Sequence, residues 1–137
     1  MDTKGEREKE DSTHGNGIVY KDLSYRIVGL AMRVHTVLGN GFLEKVYENS
    51  LMVLLRKEGI AAQQQSAIPV YFEGERVGEY FADIVVEDKI ILELKVATEL
   101  VDEHRGQMWH YLKATEKRLG LLLNFGKSRL EYERIVN

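Results

Sequence analysis

The spacing of apolar residues changes period along the chain, and each change marks a boundary between elements. From Leu23 they fall at Leu23, Ile27, Leu30, Ala31, Val34, Val37 and Leu38, steps of three and four that line one stripe of a helix. Gly39-Asn40-Gly41 breaks that stripe. A second stripe runs through Leu43, Val46, Tyr47, Leu51, Leu54 and Leu55, with Gly59 as its C-terminal stop. From Ser66 the pattern becomes that of strands. Ile68–Phe72, Val77–Val86 and Ile90–Val96 are rich in β-branched and aromatic residues, separated by Glu73-Gly74-Glu75-Arg76 and by Glu87-Asp88-Lys89. Together they predict an antiparallel meander. Its second and third strands are apolar on both faces, so the sheet is expected to be covered on both sides. A helix over 101–115 and two short strands, Leu121–Asn124 and Leu130–Ile135, close an order ααβββαββ. No internal repeat is visible.

Three charges interrupt the apolar strands. With Glu87-Asp88-Lys89 as a three-residue turn, Val86 faces Ile90 and Asp83 lies opposite Glu93. Lys95, two residues on, shares their face. Two opposed carboxylates in a buried strand pair repel each other and resist desolvation. A divalent cation offsets both costs, and hard oxygen ligands suit Mg²⁺ or Mn²⁺. Against this stands an ordinary ion-pair cluster on a solvated face; three such charges among Ile, Leu and Val weigh against it.

Composition narrows the classes. The 137 residues suffice for one domain with a proper core. Met1–Gly17 carries almost no apolar side chain and is expected to be a disordered, charged tail before a domain over 18–137. The absence of Cys removes disulfides and thiolate metal sites. No apolar run is long enough to span a membrane, and the charged N-terminus does not read as a signal peptide, so a cytoplasmic location is the expectation. The net charge of -3 includes -2 from the tail, so charge neither requires nor forbids a nucleic-acid partner.

The spacing Asp83, nine residues, then Glu93-Leu94-Lys95 resembles the PD-(D/E)xK nuclease superfamily, with Ala82 where a Pro is usual. More narrowly, Gly41-Phe42-Leu43-Glu44-Lys45-Val46-Tyr47 matches the motif of the GxxExxY protein family. The similarity continues through Glu48, Ile68-Pro69-Val70, Gln107, Tyr111-Leu112-Lys113 and Asn124-Phe125-Gly126. The resemblance implies an α/β fold with a restriction-endonuclease-like core, the meander lying in a mixed sheet flanked by helices. It further implies a metal-dependent nuclease hydrolysing phosphodiester bonds, with DNA favoured over RNA. Asp83, Glu93 and the Leu94 carbonyl would bind Mg²⁺ or Mn²⁺, and Lys95 would orient or activate the attacking water. Glu44 resembles the glutamate that many members bring to the metal from the first core helix. Gln107 and Tyr111, four apart on a helix, resemble the QxxxY motif of RecB-like nucleases.

Other residues have plainer readings beside these. Tyr47 is expected in the core with a tethered hydroxyl, and Gly41 as a hinge of its turn. His35 and His104 are read as structural. Lys113, Lys117, Arg118, Lys127, Arg129 and Arg134, with Trp109 and Tyr111, form a candidate nucleic-acid patch. The alternative to an enzyme is a non-catalytic nucleic-acid- or protein-binding module that retains the nuclease fold; a purely structural oligomer comes third. A homodimer stays open.

Overall fold

The computed structural model describes residues 17–137. The tail expected over 1–17 therefore lies, except for Gly17, outside the described residues. The elements are α1 (Lys21–Leu38), α2 (Glu44–Lys57), β1 (Ala62–Phe72), β2 (Glu75–Val86), β3 (Ile90–Lys95), α3 (Asp102–Thr115), β4 (Leu119–Asn124) and β5 (Glu131–Val136). They follow the expected order.

The strands form one sheet in the order β1-β2-β3-β4-β5. β1, β2 and β3 are the expected antiparallel meander. α3 then carries the chain across the sheet, so that β4 pairs parallel with β3, and β5 returns antiparallel. The first hairpin turns on Glu73 and Gly74 alone, both with positive φ (51° and 82°), the backbone of a two-residue turn that continues the strand twist. Glu75 and Arg76, expected in the turn, belong to β2. The second turn is the expected three-residue Glu87-Asp88-Lys89, with Val86 facing Ile90.

β1 begins six residues before the apolar run that announces it. Gln63, Gln64 and Gln65 pair with, or lie opposite, the inner half of β2. These polar side chains conceal a strand, and those of Gln64 and Gln65 bond to α2 rather than entering the core.

Two apolar layers clothe the sheet. On one face Ile27, Ala31 and Val34 of α1 and Tyr47, Leu51 and Leu55 of α2 pack on Ile84, Val86, Ile90, Leu92, Leu121 and Leu123. On the other, Met108, Tyr111 and Leu112 of α3 cover Ile68, Val85, Ile91 and Leu122. Each such fully buried aliphatic side chain contributes roughly 2 kcal/mol through removal from water. The outer half of the β1–β2 hairpin extends beyond this cover, leaving Tyr71, Phe72, Val77, Tyr80 and Phe81 exposed. Among the described residues no helix is long and apolar enough to cross a membrane.

Candidate active site

The β2–β3 ladder runs from Val86–Ile90 to Ile84–Leu92 and stops there. One step further the side chains take over from the backbone. Glu93 Oε2 accepts the Asp83 N–H at 2.9 Å, and Asp83 Oδ2 accepts the Leu94 N–H at 2.8 Å. The two carboxylates thus satisfy the amides that a longer ladder would have paired. This reciprocal lock brings Asp83 and Glu93 together as the turn length required.

The lock is electrostatically expensive. Burial pushes the Glu93 carboxyl up to about 8, and the neighbouring Asp83 charge pushes it the same way. Glu93 is only 4% exposed. Asp83 is also raised, by burial first, with the Leu94 amide opposing and Glu48 and Glu44 adding repulsion. Lys95 works against the rise at both carboxylates. Without a compensating cation, the pair holds a proton well above the usual carboxylate range.

Lys95 closes β3 and donates from Nζ to Gln107 Oε1 at 3.2 Å. Gln107 lies on the first half of α3, and one turn later Tyr111 faces the same corner. Tyr111 is buried, and that burial, followed by the charges of Glu93 and Asp83, lifts its hydroxyl to about 12. Tyr80 of β2 lies against it, ring centroids 5.8 Å apart. Gln107 and Tyr111 are therefore gathered with Lys95 and the acidic pair.

Glu44 opens α2 on the exposed side of the first turn. It is within electrostatic reach of Asp83 and Glu93 and accepts no hydrogen bond among the described residues. Sequence reasoning missed Glu48, one turn later. It is buried, and its carboxylate accepts from Lys45 Nζ, Gln64 Nε2 and Gln65 Nε2. Its position beside Tyr47 on a stripe of three- and four-residue steps was the available signal.

A family model described as the PD-(D/E)XK nuclease superfamily matches residues 21–135. The chain belongs to this superfamily. Among solved structures, the crystal structure of SSO0001 superposes with a TM-score of 0.56 at 17% identity, covering 96% of this chain and 61% of that one. This supports the same fold; the chain spans less than two thirds of that protein's length. The crystal structure of an alkaline exonuclease from Laribacter hongkongensis matches at TM-score 0.47 and 13% identity, over 78% of this chain and 76% of that one. No curated protein matches the chain.

PD-(D/E)XK nucleases generally use divalent metals, and the donor chemistry here fits one. Asp83 Oδ1 and Glu93 Oε1, the oxygens outside the lock, accept no hydrogen bond among the described residues. The Phe125 N–H donates to the Lys95 carbonyl on the β4 side, so by strand alternation the Leu94 carbonyl faces β2, past the last paired residue of that ladder. Two carboxylate oxygens and a carbonyl are hard ligands for Mg²⁺ or Mn²⁺. Among the described residues no three Asp, Glu, His or Cys side chains converge on one point, so a metal here would rely on the carbonyl and on water as well as the pair.

The candidate cation patch is not one surface. Lys117 bonds Asp88 at the opposite end of the sheet, and Lys127 pairs with Glu131 at 3.8 Å. Arg134 is half-buried and donates to Ser24 Oγ and the Val19 carbonyl. Trp109 carries Lys113 over its ring at 5.3 Å. Two residues of helix, about 200° of rotation, separate Trp109 from Tyr111, so Trp109 faces away from the acidic corner. The readings of His35, His104 and Tyr47 as structural agree with their bonds. His35 Nε2 meets the Lys127 carbonyl at 2.8 Å, and His104 Nδ1 accepts the Val101 N–H at the start of α3. The Tyr47 hydroxyl donates to the Gly39 carbonyl, accepts the Phe42 N–H, and its ring stacks on Phe125 at 4.6 Å.

Proposed function

We propose that this chain is a metal-dependent nuclease that hydrolyses phosphodiester bonds of nucleic acid, DNA before RNA, and that it is of the GxxExxY type within the superfamily. The observation that carries the reading is the reciprocal Asp83–Glu93 lock with Lys95 on the same strand. No fold needs two buried carboxylates pressed together, and a cation is the partner that makes them favourable. Asp83, Glu93 and the Leu94 carbonyl would hold Mg²⁺ or Mn²⁺. The ion, when bound, acidifies a water and neutralises charge building on the phosphate. Lys95 would orient the attacking water and steady negative charge as it develops. Gln107 fixes the Lys95 ammonium by its 3.2 Å bond, and Tyr111 shields the corner from bulk solvent. Glu44, exposed at the mouth, would supply a further carboxylate to the metal. The domain comprises residues 18–137.

The test is cleavage of plasmid and of single-stranded DNA by the purified protein in EDTA, Mg²⁺ or Mn²⁺, beside Glu93→Ala. Cleavage that needs metal and vanishes in the variant supports the nuclease. No cleavage, with a flat metal titration, would overturn it in favour of a binding module that retains the fold.

A further inference from the structure

One residue inside a strand has a backbone that strands avoid. Gln65 of β1 has φ of +51°, whereas the other described non-glycine residues with positive φ lie in turns or at helix ends. From Ala62 to Val70 every residue of β1 has a partner in β2 except Gln65, and the position opposite it is Asp83.

The strands turn over at this point. A regular strand keeps residues two apart on one face. Ala82, however, packs with the α3-side cluster and Ile84 with the α1–α2 cluster. On β1, Ile68 belongs to the α3 side and Ala62 packs on the other, although six residues should return a side chain to the same face. The left-handed residue accounts for the reversal. It also lets two adjacent amides, Gln64 and Gln65, reach the same Glu48 carboxylate at 2.8 and 3.2 Å, which neighbours in a flat strand cannot do.

We propose that Gln65 is a positioning residue for the Asp83–Glu93 pair: its left-handed backbone, anchored by the buried Glu48, turns β2 over at Asp83 so that the Asp83 carboxylate reaches the Leu94 amide. Irregularities of this kind beside a site re-aim a side chain and end the pairing. The catalytic part of the proposal rests on the nuclease reading; the geometric part does not.

The experiment compares Gln65→Thr, whose β-branch opposes positive φ, with Gln65→Gly, which adopts it freely. The Leu94 amide resonance, measured by NMR in EDTA, reads the lock directly, and cleavage of single-stranded DNA in Mn²⁺ reads its use. Gln65→Thr should shift the Leu94 amide and lower kcat on the order of 100-fold with little change in KM, the scale of a small misplacement of reacting groups. Gln65→Gly should restore the amide position and bring kcat back to within about tenfold, the residue of the lost Glu48 anchor. A Thr variant with the wild-type amide and wild-type kcat would overturn the proposal. So would a Gly variant as impaired as Thr, which stays informative if Thr fails to fold. Absence of cleavage by the wild type would defeat the nuclease reading, while the amide shifts would still decide the role of Gln65.

Discussion

Replacing Glu93 by Gln tests the lock through stability rather than catalysis. The amide keeps the size of the side chain and an oxygen to accept the Asp83 N–H, but it carries no charge. In the wild type, burial and Asp83 hold the Glu93 carboxyl at about 8 against an ordinary 4.5. The native state therefore keeps a proton that the unfolded chain releases. Between these values the unfolded state binds fewer protons, so stability falls as pH rises from about 4.5 to about 8 and is level above. Fully developed, that loss is on the order of 5 kcal/mol, a large part of the roughly 5–15 kcal/mol that holds a domain together. Glu93→Gln lacks this slope, and Asp83 beside it is freed of one repulsion. Urea unfolding in EDTA, followed by far-UV circular dichroism at intervals from pH 5 to 9, should give similar midpoints near pH 5. Near pH 9 the variant should be more stable by several kcal/mol. Saturating Mn²⁺ should flatten the wild-type profile and leave the variant unaffected. Parallel wild-type and variant curves across that range would refute the claim that Glu93 is buried at the expense of folding.

Asp83→Ala should abolish cleavage yet raise metal-free stability at pH 8, read by thermal unfolding in EDTA. Lys95→Ala should leave Mn²⁺ affinity within about threefold while reducing turnover by about 10²–10⁴, the range of a lost proton-handling group; calorimetry and single-turnover kinetics separate the two. Gly126→Ala should destabilise the fold by about 3 kcal/mol or more, as for other strained or overpacked sites. A Cβ there would meet the Ala97 backbone N and O at 2.5 Å, and denaturant midpoints give the size of the effect.

The helices, the second turn and the Asp83–Glu93 apposition were legible because each follows from local periods and from a turn three residues long. His35, beside the first apolar stripe, and Tyr47, on the second, were legible as structural from those periods, whereas the role of His104 shows only in its bond to the Val101 N–H. The parallel pairing of β3 with β4 was not legible from the local pattern, since it depends on where α3 delivers the chain; the mixed sheet followed only from the family resemblance. The Ala62–Gln65 start of β1 was hidden because Gln64 and Gln65, which answer a buried carboxylate on α2, make it look like a polar loop. Glu48 itself reads as a surface charge until Gln64 and Gln65 are placed above it. The opposite facing of Trp109 and Tyr111 could have been read from their two-residue spacing. Arg134, by contrast, becomes structural only once β5 lies beside Ser24 and Val19.

That last contact also sets an order of events. Arg134 joins residues 110 and 115 positions earlier in the chain, among the costliest loops the fold closes. The acidic pair, Lys95, Gln107 and Tyr111, by contrast, all lie within residues 83–111. During synthesis α1 meets its main partner α2 at once, but it also shares its cluster with Leu121 and Leu123 of β4, and its start is held by Arg134 of β5, both made much later than α1. Until β4 and β5 have been made, the part of the α1 stripe that α2 leaves uncovered stays open to chaperones and to aggregation.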